Sequence, residues 1–188
     1  MGKLIVISAP SGAGKTSIVH FLLQKIEELS FSVSAWSREK RKNETYGTDY
    51  YFLGIEWFKR KISEDAFLEW EEVYKNQYYG TLNSELERIW GKGKTVIFEV
   101  DVEGGINIKK QYPSDCLSIF IMPPSLEILK ERLQNRGSES TESLEKRLAK
   151  AEGEIARSVE FDKVILNDNF DLACKEAMQL IQTYIEWK

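Results

Sequence analysis

The sequence predicts an α/β fold, a parallel sheet with helices on both faces, interrupted by a small inserted mixed α/β subdomain. Three observations carry this. Short β-branched, apolar runs recur at Leu4–Ile7, Thr95–Phe98 and Leu117–Ile121, as expected of strands buried on both faces. Stretches with apolar residues every three or four positions alternate with them, and that spacing is helical. From residue 31 to about residue 81 the pattern changes to polar segments with interleaved aromatics, which reads as short, half-exposed strands.

The elements follow in order. Leu4-Ile5-Val6-Ile7 is a buried strand. A small-residue loop, Ser8 to Gly14, leads into a helix marked by Ile18, Leu22, Ile26 and Leu29. Within the insert, Phe31–Ser34, Tyr50–Leu53 and Phe67–Trp70 read as strands, with a helix over about Ile55 to Ser63. A helix fits Asn83 to Trp90, and core strands return at Thr95–Phe98 and Leu117–Ile121. The next helix begins after Pro123-Pro124-Ser125, with Ser125 as its N-cap. A polar turn is expected at Gly137–Thr141, then an amphipathic helix on Leu144, Leu148, Ala151 and Ile155. Val164-Ile165-Leu166 reads as the last core strand, and Ala173, Ala177, Leu180, Ile181 and Tyr184 mark a closing helix. Strands alternating with helices imply the parallel sheet.

Composition bounds the function. The 188 residues suit one domain with small inserts, and chains of this size bury roughly 70% of their unfolded surface. A net charge of −4 argues against a nucleic-acid partner. A strongly anionic substrate then requires a local positive pocket. Cys116 and Cys174 lack metal-type or CxxC spacing and read as core residues of a reducing compartment. His20, the single histidine, falls in a helical pattern, which excludes a histidine triad or zinc site. The apolar run after Lys3 is too short for a signal peptide or membrane span. A cytoplasmic location with no membrane partner is the expectation.

Ala9-Pro10-Ser11-Gly12-Ala13-Gly14-Lys15-Thr16 occupies the G-x-x-x-x-G-K-[ST] frame of a P-loop, between a strand and a helix. Gly12 and Gly14 let the backbone turn successive N–H groups onto phosphate oxygens, and the helix N-terminus adds its dipole. Lys15 is expected to reach the β- and γ-phosphates of ATP, and the Thr16 hydroxyl to ligate Mg²⁺. The frame departs from the pattern at Ala9, where the first glycine usually stands; at a strand end that position does not require positive φ. The loop specifies a nucleoside triphosphate, and the acceptor must be read elsewhere.

Ser34-Ala35-Trp36-Ser37-Arg38-Glu39-Lys40-Arg41, followed by Glu44, Gly47, Tyr50 and Phe52, resembles the pattern S-x-x-[ST]-R-x-P-R-x-x-E-x-x-G-x-x-Y-x-F of guanylate kinases. Lys40 replaces the usual proline and Trp36 a usual threonine, neither a side chain that the family uses to hold nucleotide. Arg38 and Arg41 can converge on one phosphate with planar, charge-assisted hydrogen bonds, and Tyr50 adds a hydroxyl. The resemblance implies Tyr79, in Tyr78-Tyr79-Gly80-Thr81, as a second phenol on that phosphate. It implies Glu69 as the carboxylate that accepts from guanine N1–H and N2, Thr81 and Asp101 as further base contacts, and Ser34 at O6. Phe98-Glu99-Val100-Asp101-Val102-Glu103-Gly104 resembles the family's [DE]-I-D-x-Q-G, with Glu103 for glutamine. Glu99 and Asp101 there can contact GMP or Mg²⁺ waters.

The remaining motifs extend the resemblance along the chain. Met122-Pro123-Pro124-Ser125 and Glu131-Arg132-Leu133-Gln134-Asn135-Arg136-Gly137 resemble the family's P-P-S…R-L…R-G lid. Arg132, Arg136 and Arg147 are implied to grip ATP and neutralise the transferring group, and Asn167 to lie near its adenine. The implied architecture is a P-loop NTPase-type core (3–30, 82–124 and 158–188), a GMP-binding subdomain over about 31–81 and a helical lid over about 125–157. The implied reaction is Mg²⁺-dependent transfer from ATP to GMP, with dGMP as an alternative acceptor. Two other readings exist: a catalytically inactive binding module of the same fold, and a related P-loop kinase with another phosphorylated acceptor. The first should lack Lys15 and the lid arginines, the second the guanine-reading set.

Overall fold

In the computed structural model, which describes residues 2–135 and 141–187, the chain opens on β1 (Leu4–Ser8), every residue of which is buried. The phosphate loop turns it into α1 (Lys15–Lys25). That helix stops earlier than its apolar spacing suggests. Ile26 is already extended, and Leu29 begins β2 (Leu29–Phe31), paired in parallel with Thr95. Periodicity is a weak preference, and the burial and ladder bonds of a sheet position override it. The insert therefore starts later than its aromatic pattern implies: Phe31 lies opposite Ile97 in the central sheet, so the core runs past residue 30.

The insert comprises β3 (Ala35–Trp36), β4 (Tyr51–Phe52), α2 (Ile55–Ser63), β5 (Phe67–Tyr74) and β6 (Gln77–Leu82). Its strands lie in the order β4-β3-β6-β5, with β3 and β4 parallel and the other pairs antiparallel. The hairpin between β5 and β6 turns through Asn76, at φ 60°, a residue type that tolerates the left-handed region. Phe58, fully buried, anchors a separate small core, stacking on Phe67 at 4.3 Å and on Tyr78 at 5.7 Å between ring centroids.

The chain then returns to the core through α3 (Asn83–Trp90), β7 (Thr95–Val100), α4 (Val102–Gln111) and β8 (Cys116–Met122). The chain continues through α5 (Leu126–Gln134) and α6 (Thr141–Ala156). Ser125 caps α5 as expected, its hydroxyl accepting from the Ile128 N–H at 3.2 Å. The expected turn at 137–141 lies almost wholly outside the described residues, as does Arg136. A short 3-10 turn (Arg157–Glu160), β9 (Lys163–Leu166) and α7 (Phe170–Glu186) complete the chain.

The central sheet runs β2-β7-β1-β8-β9 and is parallel throughout. Ile5 and Ile7 face a core shared with α1 and α7, while Leu4 and Val6 face one shared with α3 and α4. That period of two, with a core on each side, explains why Leu4–Ile7 has no polar position; Ser8, buried at the strand's carboxyl end, is the first. β9 departs from its expected role as a core strand. It is the sheet edge; Ile165 is fully buried, but Val164 and Leu166 are 44% and 55% exposed.

Candidate functional site

β1 lies between β7 and β8, where the strand order reverses, and such a switch point opens a crevice at the strands' carboxyl ends. The phosphate loop fills this crevice. Gly12 and Gly14 adopt φ of 91° and 94°, where a Cβ is strained. Ala9 is buried and is not among the positive-φ residues, so the missing glycine costs nothing there. Leu129 and Leu133 of α5 press against Gly12. The Asn167 amide donates to the Ala13 carbonyl at 2.7 Å.

Lys15 extends its ammonium along the loop to the Val100 carbonyl, 3.0 Å away. Burial lowers its pKa, while the carboxylates of Glu99, Asp101 and Glu154 pull it back up. The Thr16 hydroxyl donates to Glu99 at 2.5 Å. A cleft of about 270 Å³ opens over this loop, lined by Ala9, Pro10, Ser11, Gly12, Gly14, Lys15 and Thr16 together with Glu99, Asp101, Arg147, Lys150 and Glu154. It adjoins a larger cleft of about 960 Å³. Lys15, Thr16, Glu99, Asp101 and Lys150 line both.

The larger cleft is walled by the insert, through Ser34, Trp36, Tyr50, Glu71 and Tyr79. The Tyr79 hydroxyl donates to Ser34 Oγ at 2.8 Å. Burial raises its pKa, so the phenol stays a hydrogen-bond donor. Arg38 makes a two-pronged pair with Glu44, both contacts at 2.7 Å, and Glu44 also accepts from the Arg41 N–H. The hydrogen bond from Arg38 holds the Glu44 carboxyl down at about 2. The Arg41 side chain is exposed.

Glu69 on β5 accepts from the Thr81 hydroxyl of β6 at 2.8 Å. The antiparallel register sets the two residues opposite each other. Burial pushes the Glu69 carboxyl up to about 7; the Thr81 hydrogen bond opposes this and the charge of Asp101 adds to it. Asp101 caps α4, accepting from the Gly104 N–H at 2.8 Å. A Cβ at Gly104 would lie 3.4 Å from Glu69 Oε2, so the helix start and this carboxylate are in close approach.

α5 and α6 bring two further arginines to the loop. Arg147, in the second turn of α6, donates to Ser11 Oγ at 3.2 Å. Arg132 donates to the Asn167 carbonyl at 3.1 Å. Asn167 is itself buried, with its amide committed to the phosphate loop. Both thus brace the loop from behind in this arrangement. Four residues emerge that the pattern did not single out as site residues. Glu44 clamps Arg38, and Trp36 lies under it with the ring centroid 4.9 Å from Cζ. Lys150 reaches Asp101 at 3.8 Å and Glu154 at 3.5 Å. Glu85, 2% exposed, accepts from Val33 N–H and the Tyr51 hydroxyl, each at 2.9 Å, and from Arg88 at 2.8 Å. Glu44 stood within the motif, and its spacing to Arg38 was the available signal; Glu85 and Lys150 resemble ordinary helix-surface charges in sequence.

The family model described as guanylate kinase matches residues 1–184. A guanylate kinase of Porphyromonas gingivalis is 48% identical over 186 residues, covering 98% of this chain and 99% of that protein. One of Bacteroides thetaiotaomicron is 47% identical over 184 residues, covering 98% and 90% respectively. Among solved structures, the crystal structure of guanylate kinase from Anaplasma phagocytophilum superposes with a TM-score of 0.78 at 29% identity, covering all of this chain and 88% of the other.

Proposed function

The chain belongs to the guanylate kinase family, transferring a phosphoryl group from ATP to GMP, and we propose that the loop cleft holds the ATP phosphates while the insert-walled cleft holds GMP. The observation that carries this division is the shared wall. Lys15, Thr16, Glu99 and Asp101 border both clefts, so a γ-phosphoryl on one side adjoins an acceptor on the other.

Each part then has a role. The loop N–H groups and Lys15 bind the β- and γ-phosphates, and Lys15 stabilises charge on the transferring oxygens. Arg147, already at Ser11 on the loop, adds a second cation there. Arg132 and Arg136 are proposed to join it when the lid closes on ATP. Arg38, Arg41, Tyr50 and Tyr79 bind the GMP phosphate and present it in line. Glu69 reads guanine through its N1–H and N2 donors, aided by Ser34, Thr81 and Asp101. Adenine lacks that donor pair.

The oxygens near the loop suit Mg²⁺, a hard cation that keeps waters and shares substrate phosphates. Thr16 Oγ1 and the Glu99 carboxylate are already in contact, and Asp101 borders the same cleft. Among the described residues no group of three or more His, Cys, Asp or Glu forms a metal cage, in keeping with a metal that arrives with ATP. When bound, the ion neutralises the β- and γ-oxygens. Thr16 is proposed to hold it directly, and Glu99 and Asp101 through water.

No helix among the described residues is long and apolar enough to cross a membrane. Both cysteines are buried and unpaired, which supports a cytoplasmic location. The test of the assignment is ADP release from ATP with GMP, AMP, CMP and UMP as acceptors. GMP should exceed AMP by at least about 100-fold in kcat/KM. Comparable turnover of AMP would overturn the base-reading role of Glu69.

A further inference from the structure

We propose that Trp36 is a positioning residue for the acceptor phosphate, its indole serving as the shelf that holds Arg38, Tyr50 and Tyr79 in one arrangement. The proposal rests on the reading of Arg38 as a phosphate ligand. Trp36 ends β3, and its backbone is fixed on both sides, opposite Phe52 of β4 and Tyr79 of β6. Its ring meets Tyr79 at 5.2 Å and Tyr50 at 6.3 Å between centroids, both edge-to-face. The Arg38 Cζ lies 4.9 Å from the indole centroid, closer than to Phe52 at 5.3 Å or Tyr50 at 5.9 Å. Indole is also the strongest of the aromatic faces for a cation.

What the shelf fixes is the plane of the guanidinium. Glu44 takes one N–H from each terminal nitrogen, and the Glu39 carbonyl takes another at 2.9 Å. A carboxylate gripping one end leaves the plane able to roll about the line joining the two groups. Contact with the indole face restricts that roll, because a planar cation favours one orientation over the ring. The edge carrying Nε is not used by Glu44, and Nε is buried with no acceptor among the described residues. Threonine, usual at this place in the pattern, has no ring to supply such a shelf.

The experiment compares Trp36→Met, Trp36→Phe and Arg38→Ala with the unaltered enzyme. It measures KM for GMP and for ATP, the Kd for guanosine, and the thermal midpoint. Methionine fills space without a π face, and Trp36→Leu replaces it if that variant does not fold. The expected result is a KM for GMP raised about tenfold in Trp36→Met and about threefold or less in Trp36→Phe, with KM for ATP and the guanosine Kd within about twofold. Guanosine lacks the phosphate, so a general loss of pocket structure would weaken both ligands equally, and that outcome overturns the proposal. So does an unchanged KM for GMP in Trp36→Met when Arg38→Ala raises it. If Arg38→Ala leaves the KM for GMP unchanged, the phosphate reading fails and takes the proposal with it.

Discussion

Lys15 and Glu69 show how one crevice imposes opposite demands on two charges. Lys15 is a cation whose pKa burial lowers, kept charged by Glu99, Asp101 and Glu154 around it. Lys15→Ala should lower kcat by about 100-fold or more, as for other lost charge-stabilising donors. The fold should survive, since among the described residues the ammonium donates one hydrogen bond, to the Val100 carbonyl. Steady-state rates together with circular dichroism check both halves. Glu69 is an acid pushed up to about 7 by burial, from an ordinary 4.5. Between those values the folded chain holds a proton that the unfolded chain has released. Its contribution to stability therefore falls as pH rises through that window. The proposed base reading needs the carboxylate, so guanosine affinity should run the other way. It should rise about tenfold per pH unit below about 7 and level off above. Titration calorimetry against guanosine, whose missing phosphate removes the ligand's own titration there, measures this. Glu69→Gln should abolish the slope. The placement of Lys15 and Thr16 beside the loop was legible because a local frame dictates it. The placement of Trp36 was not, since it depends on how the insert's strands pair.

At the scale of elements, buried runs and capping residues were readable and pairings were not. β1, β7 and β8 announce themselves by near-continuous apolar runs, and α5 by Ser125. β6 went unread because Tyr78-Tyr79-Gly80-Thr81 gains its strand character only against β5. A Cβ at Gly80 would come within 2.5 Å of the Glu69 carbonyl, so that pairing requires glycine there. β2 is hard to read because Leu29 fits the helical spacing of α1 while Phe31 opens the polar, aromatic pattern of the insert. α4 starts on a Gly104-Gly105 pair, a poor helix signal, and exists because Asp101 caps it and Gly105 packs closely on Ser8. The insert has its own core on Phe58, which makes it separable in energy. Phe58→Ala should cost the insert about 3–5 kcal/mol. A small unit bears such a loss badly, so GMP binding should weaken by at least about tenfold. ATP binding at the loop should stay within about threefold, because none of its lining residues contacts Phe58 in that core. Calorimetric titration with each nucleotide distinguishes this from general unfolding.

Across the whole molecule, the proposed phosphate ligands come from separate segments of the chain, and the proposed transfer requires these to approach one another. The insert, bearing Arg38, Tyr50 and Tyr79, joins the core through the stretch after β2 and through the start of α3. Glu85 pins that junction, tying Val33, Tyr51 and Arg88 to one carboxylate. Burial would raise its pKa, but hydrogen bonds from Arg88, Val33 and Tyr51 outweigh it and keep the carboxyl ionised. A pin that holds one end of the insert leaves the other end able to swing, which is the geometry of a hinge. On the opposite side, Arg147 and Lys150 already reach Ser11 and Asp101 from α6. One is a cation on a neutral hydroxyl and the other a long ion pair at 3.8 Å, so nucleotide phosphates can compete for both cations. Transfer to GMP rather than to water requires both sides to close. GMP alone should draw in the insert, an unreactive ATP analogue alone should draw in the lid, and the two together should give more closure than either. Small-angle scattering reads this as a radius of gyration that falls toward about 16 Å, the value for a compact chain of 188 residues. Trp70, 46% exposed and adjacent to Glu69, supplies a fluorescence signal for the insert side. Equal compactness in the unliganded and doubly liganded enzyme would refute the two-sided clamp. Glu85→Gln should leave closure in place but lower the thermal midpoint, because it weakens the pin without touching either nucleotide cleft's phosphate ligands.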